Sequence, residues 1–115
     1  MPSGRRWIVQ DRDGNLVYLT EERWQHIIGA NNHAEIADYE DQLRVTIGQG
    51  RRRQEPLNPR KYRYVHPFSD LPDGSNHIVA IVLFGFDVNE HGKTTPNNYV
   101  TTAFFKHIRS KGGTL

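Results

Sequence analysis

Ile78-Val79-Ala80-Ile81-Val82-Leu83-Phe84 is the stretch on which the fold turns. It is apolar at every position, too short for a membrane span and bounded by turn residues, which is the pattern of a strand buried on both faces. The spacing places it, extended to Phe86, in the middle of a sheet. On either side lie two segments of different character, Lys61-Tyr62-Arg63-Tyr64 and Asn98-Tyr99-Val100-Thr101-Thr102-Ala103-Phe104. Both have strand propensity, but they put polar or basic groups where a core strand would carry aliphatics. Alternation over Lys61 to Phe68 sets Lys61, Arg63 and Val65 on one face and Tyr62, Tyr64 and His66 on the other. Pro67 belongs at a strand end or edge. Tyr99 to Phe105 is the last long strand. Asp87 to Pro96 reads as a polar hairpin loop.

Ahead of these strands, Trp7-Ile8-Val9 and Leu16-Val17-Tyr18-Leu19 are two short strands joined by Asp13-Gly14, a strong turn signal. They predict a hairpin at one edge of the domain. Thr20 is placed to cap a helix, with Glu21 and Glu22 at the positive end of its dipole. Trp24, Ile27 and Ile28 form the inward stripe of that helix, and His26 lies toward the stripe's edge. Gly29 and Asn31-Asn32 end it. A second helix is expected with Asn32 as cap and Glu35 as its capping-box partner. Ile36, Tyr39, Leu43 and Ile47 recur at helical spacing, and Glu40 and Arg44 form a favourable pair. Gly48 and Gly50 stop the helix. Arg51 to Pro59, with Pro56 and Pro59, reads as a loop. The expected fold class is α+β: an N-terminal hairpin, two helices, then an antiparallel sheet of about four strands. One domain spans 1–115, with 1–19 as edge hairpin and 107–115 as a mobile tail.

With 115 residues the chain has room for one modest core. It has no cysteine, so a disulfide staple and a thiolate zinc site are excluded. Nothing reads as a signal peptide or a membrane span, and a cytoplasmic protein without a membrane partner is expected. The net charge is only +2, but the positive charge is segmental. Arg51, Arg52, Arg53, Arg60, Lys61 and Arg63 face a single Glu55 between 51 and 63, and Lys106, His107, Arg109 and Lys111 follow near the C-terminus. That is the footprint expected of a polyanion-binding surface.

The histidines have no metal-ligand spacing, and there is neither a phosphate-binding glycine loop nor a nucleophile elbow. No cofactor is expected. The residue types suit metal-free RNA cleavage, in which the substrate's 2′-OH is the nucleophile. That reaction needs a base, an acid for the 5′-oxygen, and donors to the phosphate. His26 or His33 can be acid or base. Lys61 and Arg63 can clamp the phosphate, with Arg51, Arg52 and Arg53 extending the charge. Thr101 or Thr102 can donate a hydroxyl, and Tyr62, Tyr64 or Phe104 can stack on a base. Each residue also has an ordinary reading. The histidines are common surface residues of helices. Strand lysines and arginines discourage edge aggregation. Threonines and tyrosines suit strands in any case. Only the set, on adjacent elements, points to chemistry.

The order of the pieces resembles a known group. Tyr18-Leu19-Thr20 leads into Trp24-Gln25-His26-Ile27-Ile28. Then come His33-Ala34-Glu35-Ile36, Tyr62-Arg63-Tyr64, Val79-Ala80-Ile81-Val82 and Tyr99-Val100-Thr101-Thr102-Ala103-Phe104. This series resembles the phage and polymorphic-toxin members of the barnase–EndoU–colicin–RelE-like nuclease fold, from about Tyr18 to Lys111. The resemblance implies two N-terminal helices before a four-stranded antiparallel sheet, and a metal-independent RNase. His26-Ile27 matches the family's His-Ile. His33-Ala34-Glu35 matches its His-Pro-Glu, with Ala34 in place of proline. Arg63 or Lys61 matches its basic strand residue, and Thr102-Ala103-Phe104 its late Thr-Ala-Tyr/Phe. Members differ in their catalytic residues and some have lost activity. The expected partners are RNA, tRNA among the candidates, and an immunity or antitoxin protein, with the chain a monomer or weak dimer. The rival expectation is an inactive RNA- or protein-binding module of the same fold. A metal-dependent enzyme is a third, recognised by loss of activity with chelator.

Overall fold

The computed structural model describes residues 4–29 and 32–109. Asn31 and most of the tail expected over 107–115 lie outside the described residues. The chain is α+β, with two α-helices, a mixed six-stranded sheet and a small two-stranded one.

β1 (Arg5–Gln10) and β2 (Leu16–Thr20) form the N-terminal hairpin. Its turn is closed by Asp11 N–H to Asn15 O at 2.8 Å, and Gly14 takes a φ of +88°, where a side chain would be strained. Helix α1 (Glu21–Ile27) follows directly, capped by the Thr20 hydroxyl, which accepts from Arg23 N–H at 3.0 Å. Trp24 and Ile27 of α1 are buried.

The second helix departs from its expected start. Asn32 does not cap it: the Asn32 side chain donates backwards to the His26 carbonyl at 2.9 Å and satisfies the end of α1. The chain then takes a 3-10 segment over Ala34–Tyr39 before α2 (Glu40–Gln49). Ile36, Leu43 and Ile47 are fully buried, and Tyr39 packs on that core. Arg44 favours the Glu40 carboxylate as a nearby charge but makes no direct ion pair with it. Glu40 accepts instead from Arg6 and from the Trp7 indole N–H, tying α2 to β1, and Arg44 lies 3.9 Å from Asp41. Gly48 is helical, and α2 ends at Gly50. A Cβ on Gly50 would stand 2.2 Å from the Thr46 carbonyl oxygen and 2.7 Å from that of Val65, so only glycine fits.

Arg51 to Pro59 is not a loop. Arg51–Glu55 is β3, and it turns at Pro56-Leu57 into β4 (Asn58–Pro67). The prolines are tolerated because one is in the turn and Pro59 lies beyond the stretch of β4 that pairs with β5. β5 (His77–Leu83) is interior, as its apolar run requires, and its pairing ends before Phe86. β6 (Phe86–Val88) and β7 (Thr94–Pro96) give the expected hairpin loop two short strands of its own. β8 is Asn98–Lys106.

The sheet order is β1-β2-β8-β5-β4-β3. β3, β4, β5 and β8 are the four antiparallel strands. The hairpin joins them through a parallel pairing of β2 with β8, which makes six strands and a mixed sheet. One face carries Val17, Leu19, Tyr64, Ile78, Ala80, Val82, Val100 and Ala103 into a core with α1 and α2. The described helices lie on that side. No described helix is long and apolar enough to cross a membrane.

Candidate functional site

The face of the sheet away from the described helices, called here the uncovered face, is ordered by its register, and Val79 and Ile81 at its middle are buried. Arg53, Arg63, Ile81 and Thr102 are successive partners across β3, β4, β5 and β8. Arg51, Val65, Val79 and Phe104 make the adjoining row, and Lys61, Leu83 and Tyr99 a third. Partners across a strand pair point to the same face, so these side chains lie together. The face is basic at its β3–β4 side, apolar in the middle, and hydroxyl-bearing and aromatic along β8. With strands about 4.8 Å apart, Arg63 and Thr102 are separated by about 10 Å across β5. A cavity of about 840 Å³ opens here, bordered by Arg51, Arg53, Arg63, Val79 and Lys106. Arg63 is not free within it: its Nε donates to Glu55 at 3.1 Å.

The free edge of β8 is the second half of the site. β2 pairs with β8 only at Val17–Asn98 and Tyr18–Tyr99, and α1 then leads the chain away. A cleft of about 420 Å³ opens at this fork, lined by Tyr18, Thr20, Glu22, Arg23, His26 and Tyr99 over Val100. His26 therefore faces the cleft. His33 stands further along β8, its ring centroid 5.6 Å from that of Phe104 and its Nδ1 3.7 Å from Glu35 Oε2. The two histidines flank different parts of one strand.

Three expected site residues are elsewhere engaged. Tyr64 cannot be a base platform, because it is fully buried and its hydroxyl donates to Asp11 at 2.5 Å. Burial, and then that hydrogen bond, push its phenol far above the ordinary range. Arg52 is separated from Arg51 and Arg53 by strand alternation. It turns to the helix side, lies over the Tyr62 ring at 4.5 Å and donates to Asp13 at 2.9 Å. Thr101 is the extra residue of a β-bulge in β8, and its hydroxyl donates to the Ile81 carbonyl at 3.1 Å. Arg51, Arg53, Lys61, Arg63, Thr102 and Phe104 share the uncovered face.

Sequence reading passed over Glu22, Arg23 and Tyr99 as participants. The signal was available in part: Glu22 and His26 stand four apart on α1, with Arg23 beside them, and so project to one side. It also missed the role of Asp11, which accepts from Asp13 N–H, Asn15 N–H, the Asn15 side chain and Tyr64. Burial alone would raise the Asp11 pKa, but these donors outweigh it and hold the carboxyl below its ordinary value. Among the described residues no group of three or more His, Asp or Glu side chains is placed to hold a metal ion.

No protein-family model matches the chain, and no curated protein or solved structure matches it significantly.

Proposed function

We propose that this chain is a metal-independent RNA endonuclease of the barnase–EndoU–colicin–RelE-like kind, acting in the cytoplasm. The observation that carries the reading is the convergence on one uncovered face of basic, hydroxyl, aromatic and imidazole groups. Arg53, Arg63 and Thr102 share a cross-strand row, Phe104 lies in the next, and His33 stands against Phe104. In this reaction a histidine removes the 2′-OH proton and the 2′-oxygen attacks phosphorus. The P–O5′ bond breaks, the leaving 5′-oxygen takes a proton from a general acid, and a 2′,3′-cyclic phosphate remains. His33 and His26 are the acid–base candidates. Arg63 and Lys61 hold the phosphate charge, Thr102 donates to a non-bridging oxygen, and Phe104 stacks on a base. Arg51, Arg53 and Lys106 guide the flanking backbone. RNA, tRNA among the candidates, is the substrate, and an immunity or antitoxin protein is the partner to be sought.

The Arg63–Glu55 ion pair favours a second reading, an RNA-binding module without cleavage, because Glu55 partly neutralises the clamp. One experiment separates the two. Purified protein is incubated with total tRNA and with a mixed-sequence RNA in excess EDTA, beside His26→Ala, His33→Ala and Arg63→Ala. Cleavage to cyclic-phosphate ends, lost in at least one variant, supports the nuclease. Cleavage that survives all three substitutions removes this site assignment. Salt-sensitive retention without cleavage selects the binding module.

A further inference from the structure

His77 and His107 are far apart in sequence but meet at one end of the sheet, because His77 is the cross-strand partner of Lys106, the residue before His107. Asn76 joins them. Its Nδ2 donates to the Ile108 carbonyl at 3.0 Å, and its Oδ1 accepts from the Ile108 N–H at 2.8 Å and meets His77 Nδ1 at 2.7 Å. These contacts fix the tautomer of His77. The Ile108 N–H can only donate, so the Asn76 atom facing it is the oxygen. That oxygen can only accept, so His77 Nδ1 carries the hydrogen. His107 is settled in the same way. Its Nδ1 lies 3.0 Å from the Gly74 carbonyl oxygen, in a turn closed by Ser75 N–H to Pro72 O, and donates to it. In the neutral state each ring therefore keeps its lone pair on Nε2. Neither Nε2 has a hydrogen-bond or ion-pair partner among the described residues.

Both rings border one cavity of about 560 Å³, together with Asn76, Ile108 and Arg109. A free imidazole lone pair is a ligand for zinc, nickel and copper. A ring whose other N–H donates to a carbonyl or amide oxygen is held in orientation and made more basic, which is how metal-bound histidines are generally supported. Burial, and then the nearby His66 and His107, keep His77 in its neutral, ligating form. An anion is served less well, because both Nδ1 donors are already spent on oxygens of the protein and only Arg109 remains to donate. We propose that His77 and His107 form a binding site for a divalent transition-metal ion, held through the two Nε2 atoms with water in the remaining positions. Two protein ligands are fewer than the three of a catalytic zinc or the four of a structural one, and Lys106 and Arg109 add positive charge nearby, so the ion is an exchangeable one. His66 is not a ligand. It pairs with Ile78, the neighbour of His77, so strand alternation turns it to the opposite face, where its ring lies 4.8 Å from that of Phe68. A bound ion ties the start of β5 to the residue after β8, so it stabilises the folded chain. The site is independent of the RNA reading.

The test uses untagged protein. Melting temperatures are measured with Zn²⁺, Ni²⁺ or Mg²⁺, and then with excess EDTA, for the parent, His77→Gln, His107→Gln and His66→Gln. Zinc affinity is read by titration calorimetry, and the Cu²⁺-loaded proteins are compared by electron paramagnetic resonance. Zn²⁺ and Ni²⁺ are expected to raise the melting temperature of the parent, Mg²⁺ to leave it unchanged, and EDTA to reverse the rise. Zinc affinity should fall in both His77→Gln and His107→Gln by more than the roughly ten- to a hundredfold that loss of an outer-shell partner costs, and should persist in His66→Gln. The copper spectrum should show two nitrogen ligands in the parent and one in either variant. His107 is exposed, so His107→Gln tests a ligand without touching the core. No metal-dependent shift in the parent overturns the proposal. Zinc affinity that survives either His77→Gln or His107→Gln also overturns it, since the ion then belongs to other groups.

Discussion

Asp11 is 6% exposed and sits where the first hairpin meets β4, between the Tyr64 hydroxyl and the turn amides. A buried carboxylate is tolerable only when its lone pairs are met, and here four donor groups meet them. Tyr64→Phe removes one donor and is expected to lower stability by about 1–3 kcal/mol, read by urea denaturation at neutral pH. The pH dependence follows from the sign of the shift. The folded pKa of Asp11 is depressed, so its contribution is present above the unfolded pKa and is lost as pH falls through the folded one. In Tyr64→Phe this acid-side loss should be smaller. An unchanged acid limb in that variant would count against the linkage. Gly50 is the other decisive residue. Gly50→Ala forces a Cβ against the Thr46 and Val65 carbonyl oxygens and should cost about 1–3 kcal/mol or more by the same measurement.

At the scale of elements, β3 shows how a charged run becomes useful surface. Its alternation gives Arg51 and Arg53 to the uncovered face and Arg52 to the side of Tyr62 and Asp13. The three arginines should therefore differ. Arg53→Ala is expected to weaken RNA retention and to reduce the slope of log affinity against log salt by about 1. Arg52→Ala is expected to leave that slope unchanged and to lower stability, since it removes a partly buried partner of Asp13 and the packing over Tyr62. Filter binding across a salt series, with a denaturation curve for each variant, checks both. β8 shows the same division on a finer scale: the bulge diverts the Thr101 hydroxyl to the sheet and leaves Thr102 facing outward.

The described residues form two layers, helices and sheet. Helices cover one face of the sheet, and the other is left to side chains that satisfy each other only in part. At the end of β5, His66 and His107 lie within electrostatic reach of His77. Burial first, then the nearby His66 and His107, hold His77 below its ordinary pKa. A histidine depressed in the folded state contributes full stability above its unfolded pKa, and that contribution is lost as pH falls toward the folded value. Unfolding free energy is therefore expected to fall as pH drops below about 6.5, with less of a fall in His77→Gln. Denaturation curves at several pH values decide this, and an identical decline in both proteins would assign the effect to other groups.

The sequence by itself determined what depends on neighbours along the chain. The Asp13-Gly14 turn, the Thr20 cap, the inward stripe of α1 and the interior position of Ile78 to Leu83 are local matters of backbone preference and hydrophobic period. The opposite facings of Lys61, Arg63 and Val65 and of Tyr62, Tyr64 and His66 were legible for the same reason. Only the tertiary structure decided the rest. Arg51–Glu55 carries no hydrophobic alternation, and it is a strand because β4 offers it a ladder at the sheet's edge, where charge is tolerated. The parallel join of β2 to β8, the Asp11–Tyr64 bond and the Thr101 bulge link residues distant in sequence. Which partner such groups find is set by burial and register across the whole sheet, and no local pattern encodes it. The cleft holding Glu22, Arg23, His26 and Tyr99 follows from the same cause: it exists only because β2 leaves β8 after two pairs.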